Sequence, residues 1–246
     1  MPTPNSARDR LIVALDFPTA ELAQHQVEQL EGQCQWFKVG LELYLATGSS
    51  IMTSLRNQGF NVFLDLKLHD IPNTVASAVR SVSSLGASLL TIHAAGGSAM
   101  LSAAAEAAAS HPDAPRILAV TVLTSMDTAQ LAGIGVFDSP AMQVLRLGKL
   151  AESAGIDGLV CSPEEISKLR AGLARNPLLV VPGIRPAGTA AGDQRRIATP
   201  ATAIAAGASM LVVGRPITQA ADPAKAAEAI LAEIQAQIAS ESTLTS

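Results

Sequence analysis

Charged side chains interrupt several apolar segments of this sequence. Four of them lie near the carboxyl end of a short run rich in leucine and β-branched residues: Asp16, Lys38, Asp65 and Lys67. Buried charges persist in proteins when they are paired with opposite charges. Charged groups of both signs gathered at strand ends are characteristic of functional sites. We therefore predict a catalytic site built on this cluster, with Asp70, just beyond it, as a further member.

The spacing of Asp65 and Lys67 indicates how this cluster is oriented. Residues two apart in a strand share a face, so both charged side chains leave one face while Leu64, Leu66 and Leu68 occupy the other. We expect the charged face to point into the interior of the fold. The alternative is a structural network of Asp–Lys pairs that closes one end of the fold and performs no chemistry.

A second group of residues, later in the chain, is typical of phosphate binding: Arg185, Gln194, Gly214 and Arg215. Glycine lets a ligand approach the backbone closely, and the arginine guanidinium offers a planar fork that matches phosphate. The Gly- and Ala-rich stretch 187–192 contributes little to a core, and we interpret it as a lid. The alternative is a solvated linker with ordinary surface arginines.

The elements that must position these residues are of two alternating kinds. Eight runs are almost continuously apolar, as is typical of strands buried on both faces of a parallel sheet: LIVALDF, WFKVGLEL, NVFLDLKL, SLLTIHAA, RILAVTVLT, DGLVCS, LLVVPGI and MLVVGRPI. Ala-, Leu- and Glu-rich segments of helical character lie between them, at 19–30, 71–85, 99–109, 139–154, 163–174 and 222–238. Eight strand–helix units in a chain of this length predict a (β/α)8 TIM barrel of the α/β class.

This barrel would bring the two groups of residues to one end. Active sites of such barrels form at the carboxyl ends of the strands, often with a phosphate held after the seventh and eighth strands. Both groups fall at those positions. We predict that residues 1–246 form a single barrel domain and that residues 1–10 and 239–246 are frayed termini.

Composition excludes several classes of partner and cofactor. The 246 residues carry a net charge of −4 and are 48% apolar, enough to bury a core without disulfides or a structural metal. Two cysteines give neither a disulfide framework nor zinc spacing, and we expect a reducing, cytoplasmic location. With 3% aromatic residues and a sequence pI near 5.6, nucleic acid is not expected as a partner. Neither a membrane-spanning run nor a metal or nucleotide-triphosphate motif is present.

Two further residues, His93 and Cys161, lie near the ends of apolar runs. We interpret His93 as a hydrogen-bonded core histidine rather than a ligand contact. Cys161 fits a small apolar filler better than a nucleophile.

The segment DLKLHDIPNT, residues 65–74, resembles the Asp-x-Lys-x-x-Asp core of the orotidine 5′-phosphate decarboxylase family. Related sugar-phosphate decarboxylases share that core, but the IPNT continuation narrows the resemblance. Other motifs follow the family in the same order: ALDF with Asp16, FKVG with Lys38, TVLTS with Thr124, PGIRP with Arg185, GDQRR with Gln194, and VVGRPI with Gly214 and Arg215. The resemblance extends from about Leu11 to Lys225.

The resemblance implies decarboxylation of orotidine 5′-monophosphate to uridine 5′-monophosphate, without cofactor or metal. Lys67 would stabilise and protonate the carbanion left at C6, held by Asp65 and Asp70. Asp70 and Thr74 would reach the site of a second subunit, which implies a homodimer with shared sites. The remaining substrate-binding residues would divide between the ribose (Asp16 and Lys38), the pyrimidine (Thr124) and the phosphate (Arg185, Gln194, Gly214 and Arg215).

Two other functions remain possible on these residues. A metal-dependent sugar-phosphate decarboxylase or aldolase of the same superfamily would stabilise an enediolate with a divalent cation. A barrel that binds a phosphate ligand without catalysis is the second alternative. Sensitivity to a chelator distinguishes the first, and binding of nucleotide without turnover distinguishes the second.

Overall fold

The computed structural model describes residues 4–186 and 197–244. Its strands form one closed barrel in which each strand pairs in parallel with the next and the last pairs with the first. The predicted (β/α)8 barrel is therefore confirmed. The strands are β1 (Leu11–Ala14), β2 (Trp36–Gly40), β3 (Asn61–Leu68), β4 (Leu89–His93), β5 (Arg116–Val120), β6 (Gly158–Val160), β7 (Leu178–Val181) and β8 (Met210–Val213).

Helices follow the strands and surround the barrel. In the ranges that the structure describes they are α1 (Ala7–Arg10), α2 (Ala20–Gln29), α3 (Leu41–Thr47), α4 (Ser50–Asn57), α5 (Pro72–Ser83), α6 (Gly97–Ala109), α7 (Thr128–Gly133), α8 (Pro140–Ser153), α9 (Ile166–Gly172), α10 (Pro200–Ala205), α11 (Arg215–Thr218) and α12 (Pro223–Leu244). None of these helices is long and apolar enough to cross a bilayer.

The strands bury both of their faces, which explains their almost continuous apolar sequence. One set of alternating residues fills the inside of the barrel: Ile12, Ala14, Trp36, Phe63, Leu89, Leu118, Leu178, Val180, Met210 and Val212. The residues between them pack outward against the helices, as Leu11 and Val13 do on β1. The next inward-facing position on each of β1, β2 and β3 carries a charge. Two residues beyond Ala14, Trp36 and Phe63 lie Asp16, Lys38 and Asp65, respectively.

Three of the helix starts have side-chain caps. The Thr19 side chain accepts a hydrogen bond from the backbone N–H of Leu22 at the start of α2. Ser162 and Glu165 form a capping box before α9, and Asp222 accepts from the N–H of Lys225 in the first turn of α12. These bonds satisfy backbone donors that the first turn of a helix leaves free.

Strand β3 is irregular where it carries the charged residues. Its pairing with β4 moves from Leu64 opposite Leu90 to Leu68 opposite Ile92, so β3 uses four steps where β4 uses two. Lys67 lies inside this bulge with φ of 51°, the one positive φ at a non-glycine residue in the described ranges. Regular alternation, on which the prediction for Asp65 and Lys67 was based, is therefore broken between them.

The described parts of both termini contain helix. Ala7 is buried and begins α1, with a capping box between Ser6 and Asp9. At the other end α12 extends to Leu244. Fraying of 1–10 and 239–246 stays a prediction.

Candidate active site

Two adjoining cavities open at the carboxyl ends of the strands. The first, of about 200 Å3, is lined by Lys38, Asp65, Lys67 and Thr124 together with apolar side chains. The second, of about 310 Å3, is lined by Asp16, Lys38, Gly183, Arg185, Gly214 and Arg215, among others. Lys38, Pro182 and Val212 belong to both walls. The described members of the two predicted groups, apart from Asp70, therefore face one continuous region.

The predicted charges form a chain of alternating sign. Lys38 Nζ lies 2.8 Å from Asp16 Oδ1 and 3.6 Å from Asp65 Oδ2. Lys67 Nζ donates to both Asp65 oxygens, at 2.9 Å to Oδ1 and 2.8 Å to Oδ2. Asp65 thus lies between two ammonium groups, and the Lys67 end of the chain faces the first cavity.

Asp65 is buried, yet its surroundings favour the carboxylate. Burial alone raises the pKa of Asp65, but the charges of Lys38 and Lys67 and hydrogen bonds from Lys67 and Thr91 outweigh it, and the pKa lies below its ordinary value. The site therefore holds a permanent negative charge at Asp65 at neutral pH.

Thr91 of β4 contacts both of the residues at the bulge. Its Oγ1 accepts a hydrogen bond from the backbone N–H of Lys67 at 2.9 Å. The same hydroxyl donates to Asp65 Oδ1 at 2.9 Å. Thr91 is fully buried, so both bonds lie out of contact with water.

Gly40 lies beside the Asp16–Lys38 pair, and its lack of a side chain leaves room for the pair. A Cβ at this position would lie 2.9 Å from Lys38 Nζ and 3.0 Å from Asp16 Oδ1. Both distances are shorter than a side chain would tolerate without movement of the pair. The glycine that ends β2 is therefore part of the site.

Two arginines face the second cavity. Arg185 is buried, and its Nη1 donates to the carbonyl of Ile184 at 2.8 Å. Burial, and next the positive charge of Arg215, lower the pKa of Arg185. Gly214 precedes the short helix that Arg215 begins, and both line the cavity. Cationic groups placed together in this way favour an anionic ligand.

The other predicted residues fall in three places. Thr124 lines the first cavity together with Lys67. Asp70 and Thr74 lie exposed at the start of α5, where Asp70 Oδ1 accepts from the N–H of Ile71 at 2.6 Å. The described residues include no ion pair between Asp70 and Lys67 in the same chain. Gln194 and the predicted lid at 187–192 lie outside the described residues.

His93 and Cys161 are close to the site without joining the chain of charges. His93 ends β4 and lies half-buried, with its ring 5.4 Å from the ring of His69. Burial, followed by the charges of His69 and Lys67, lowers the pKa of His93 against the opposing effect of Asp65. Cys161 is buried and lines the first cavity.

Sequence reasoning missed two of the residues that shape the site, Gly40 and Thr91. Gly40 is the last residue of the FKVG motif, and the motif indicated no role for it. Thr91 carried a usable signal, because it is a polar residue two positions after the inward-facing Leu89. The bulge that makes Thr91 important leaves no mark in the sequence pattern.

A further cavity, of about 230 Å3, lies at the opposite end of the barrel. Its walls include Arg116 at the start of β5 and Asp157 just before β6. The Glu152 carboxylate there accepts backbone N–H groups of Ala174 and Arg175. Barrel chemistry is not found at this end, and these contacts indicate a structural role.

In the described ranges no group of three or more His, Cys, Asp or Glu side chains is arranged to hold a metal ion.

Sequence and structure comparisons agree with one another. A family model described as "Orotidine 5'-phosphate decarboxylase / HUMPS family" matches residues 9–230. A relative from Halorhodospira halophila, named "Orotidine 5'-phosphate decarboxylase", is 54% identical over 227 residues, covering 92% of this chain and 96% of its own length. A relative of the same name from Nitrosococcus oceani is 52% identical over 228 residues, covering 92% and 98%. The crystal structure of orotidine 5'-phosphate decarboxylase from Lactobacillus acidophilus superimposes with a TM-score of 0.82 at 40% identity, covering 92% of this chain and 98% of that one.

Proposed function

Because the chain belongs to the orotidine 5′-phosphate decarboxylase / HUMPS family, we infer that it is a carboxy-lyase that converts orotidine 5′-monophosphate to uridine 5′-monophosphate and CO2. Relatives of about half-identical sequence carry that name over nearly their whole length. The reaction is a step of pyrimidine biosynthesis. The observation that best supports it within the molecule is the chain of charges that ends at Lys67.

The reaction explains why such a chain is needed. When the bond between C6 and the carboxylate breaks, its electron pair stays on C6 in the plane of the ring, where the π system cannot delocalise it. The transition state therefore requires a fixed positive charge beside C6. We propose that the Lys67 ammonium supplies this charge, because Asp65 holds it at the edge of the first cavity.

The same ammonium would complete the reaction. Once CO2 has left, a proton passes from Lys67 Nζ to C6, forming the C6–H bond of the product and leaving a neutral amine that solvent reprotonates. This is general acid catalysis by a group already positioned next to the reacting atom. Neither step calls for an oxidant, a metal ion or an organic cofactor, and we propose that the enzyme uses none.

The remaining residues would bind the substrate along the two cavities. Lys38 lies where the cavities meet and is paired with Asp16 of the second cavity, which fits the ribose hydroxyls. Thr124 lies on the wall of the first cavity, which would face the pyrimidine. Gly214, Arg215 and Arg185 would hold the phosphate at the far side of the second cavity. The phosphate dianion would also relieve the repulsion between the two arginines. Gln194 is proposed as a further phosphate ligand from the family resemblance alone.

We further propose a homodimer in which Asp70 and Thr74 of one subunit complete the site of the other. Both side chains are exposed at the end of the barrel where the site opens. Large apolar side chains are exposed at the same end, with Leu45 at 78%, Ile71 at 66% and Leu41 at 49%. Exposed apolar side chains that together form one patch commonly mark an interface. In a two-fold dimer, both subunits would contribute these residues to the same interface.

A cytoplasmic location is proposed on the chemistry of the thiols. Cys34 and Cys161 are both buried thiols that are not joined in a disulfide. Cysteines that stay as thiols are usual in reducing compartments.

The test is turnover in the absence of metal. Purified protein is treated with EDTA and incubated with orotidine 5′-monophosphate, and loss of the orotate chromophore is followed. We expect full activity in the chelator. Loss of activity that returns with a divalent cation would instead assign the chain to metal-dependent sugar-phosphate chemistry, and nucleotide binding without turnover would assign it to a non-catalytic role.

A further inference from the structure

Thr91 joins the two residues on which the proposed chemistry depends. It is the third residue of β4, and its side chain has no exposed surface. One hydroxyl both accepts from the Lys67 N–H and donates to Asp65 Oδ1, each at 2.9 Å. It therefore connects the backbone of the proposed proton donor to the carboxylate that orients its ammonium.

The Thr91 hydroxyl lies at the bulge in β3, where the pairing with β4 is irregular. Between Leu64 and Leu68 the regular pairing of β3 with β4 is interrupted. The amide of Lys67 lies in that interruption and bonds to a side chain instead of a strand carbonyl. A positive φ at a residue with a side chain is strained and persists when surrounding contacts hold it.

We propose that Thr91 is a positioning residue for the decarboxylation: its hydroxyl fixes the bulged backbone at Lys67 relative to the Asp65 carboxylate, and so places the ammonium beside C6. The proposal rests on the proposed function for its chemistry. Its geometry rests on the two hydrogen bonds alone. Thr91 would touch neither the substrate nor the reacting atoms.

The electrostatics of Asp65 support this role. The hydrogen bond from Thr91 is one of the interactions that lower the pKa of Asp65 against the effect of burial. Loss of the hydroxyl would leave the carboxylate with fewer donors and the Lys67 amide without an acceptor. Both changes would loosen the pair formed by Asp65 and Lys67.

The experiment compares Thr91→Val, which keeps the shape and removes the hydroxyl, with Thr91→Ser, which keeps the hydroxyl. We expect Thr91→Val to lower kcat roughly 10- to 100-fold with KM changed by no more than about 3-fold, since small displacements of a catalytic group have effects of this order. Thr91→Ser should retain kcat within about 3-fold. If the valine variant does not fold, Thr91→Ala replaces it with the same expectation.

Thr121→Val is the matched control. Thr121 is also a buried threonine at a strand end, and its hydroxyl donates to the Val160 carbonyl at 2.9 Å. This variant loses one buried hydroxyl hydrogen bond, which involves neither Lys67 nor Asp65. Unfolding by urea should show that both valine variants are destabilised, while kcat should fall only in Thr91→Val.

A second measurement does not depend on activity. The 13C resonance of the Asp65 carboxyl, assigned by its absence in Asp65→Asn, is followed during acid titration. We expect its pKa to rise in Thr91→Val and to stay at the parental value in Thr91→Ser. An unchanged titration together with an unchanged kcat would overturn the proposal, as would equal loss of kcat in the valine and serine variants. If the parent protein itself fails to decarboxylate orotidine 5′-monophosphate, the proposed function fails, and the titration still decides whether Thr91 positions this pair.

Discussion

At the scale of single residues, the site consists of charged groups in close contact. Each of these contacts depends on a particular neighbouring residue. Asp65 contacts two ammonium groups, so removing either lysine would leave a buried carboxylate incompletely paired. Lys38 likewise lies between two carboxylates. The charged residues could be identified from the sequence because charge is rare in apolar runs. The distances between these charged groups could not be identified from the sequence. Nor could the glycine, Gly40, that leaves room for the contact between Lys38 and Asp16.

Gly40→Ala should reduce activity with little loss of stability. The added Cβ would approach the tips of Lys38 and Asp16 at about 3 Å, and side-chain tips can move more readily than backbone. We expect kcat/KM to fall roughly 10-fold because the displaced groups no longer match the substrate, and the Tm to change little. Gly133→Ala is the control, since a Cβ there meets nothing within 4 Å. A large fall in Tm for Gly40→Ala would show that the glycine serves the fold instead.

At the scale of elements, most of the fold could be read from the pattern of apolar runs and helical segments. The runs of apolar sequence became strands because both faces are buried, and the helix starts at Thr19, Ser162 and Asp222 have the bonds expected of caps. Short helices such as α3, α7 and α11 were missed, because four to seven residues carry too little periodicity. The bulge in β3 was also missed. It depends on contacts with β4 that are distant in sequence.

His93, at the end of β4, should make stability depend on pH. Burial, and then the charges of His69 and Lys67, lower the pKa of His93 in the folded protein. The unfolded chain therefore takes up a proton at this residue first as the pH falls through its ordinary value of about 6.5. Stability should be complete above that pH and decrease below it, toward the lower pKa of the folded state.

Urea unfolding between pH 5 and 7.5 measures this effect. We expect His93→Gln to reduce the slope of unfolding free energy against pH in that range. His25→Gln, which changes an exposed histidine on α2, should leave the slope as it is in the parent. An equal slope in His93→Gln and the parent would contradict the assignment of the pH dependence to His93.

At the scale of the whole molecule, the barrel brings residues that are far apart in sequence to one end. Asp16 and Arg215 are separated by most of the chain, yet they line the same cavity. The architecture, and the meeting of these residues at one end of it, could be predicted because eight strand–helix units close in one way. The contribution of a second subunit could be suggested only by resemblance, since a single chain leaves Asp70 and Thr74 facing outward.

Mixed dimers test that contribution. A Lys67→Ala subunit paired with an Asp70→Asn subunit would contain one site with both original residues. Random mixing of the two inactive proteins should therefore restore roughly a quarter of the parental activity. Mixing Lys67→Ala with Asp65→Asn is the control and should restore none, because both residues belong to the same subunit's chain of charges. Mixed dimers that form, as shown by native mass spectrometry, and remain inactive would contradict shared sites.

The central claim, that Lys67 stabilises and protonates the C6 carbanion, is tested most directly by kcat of Lys67→Ala under metal-free conditions. Removing both an electrostatic stabiliser and a general acid predicts a loss of at least about 1,000-fold. Binding of uridine 5′-monophosphate should persist, and Lys149→Ala, at an exposed position of α8, should keep the parental kcat. A Lys67→Ala enzyme with kcat within about tenfold of the parent would contradict the account.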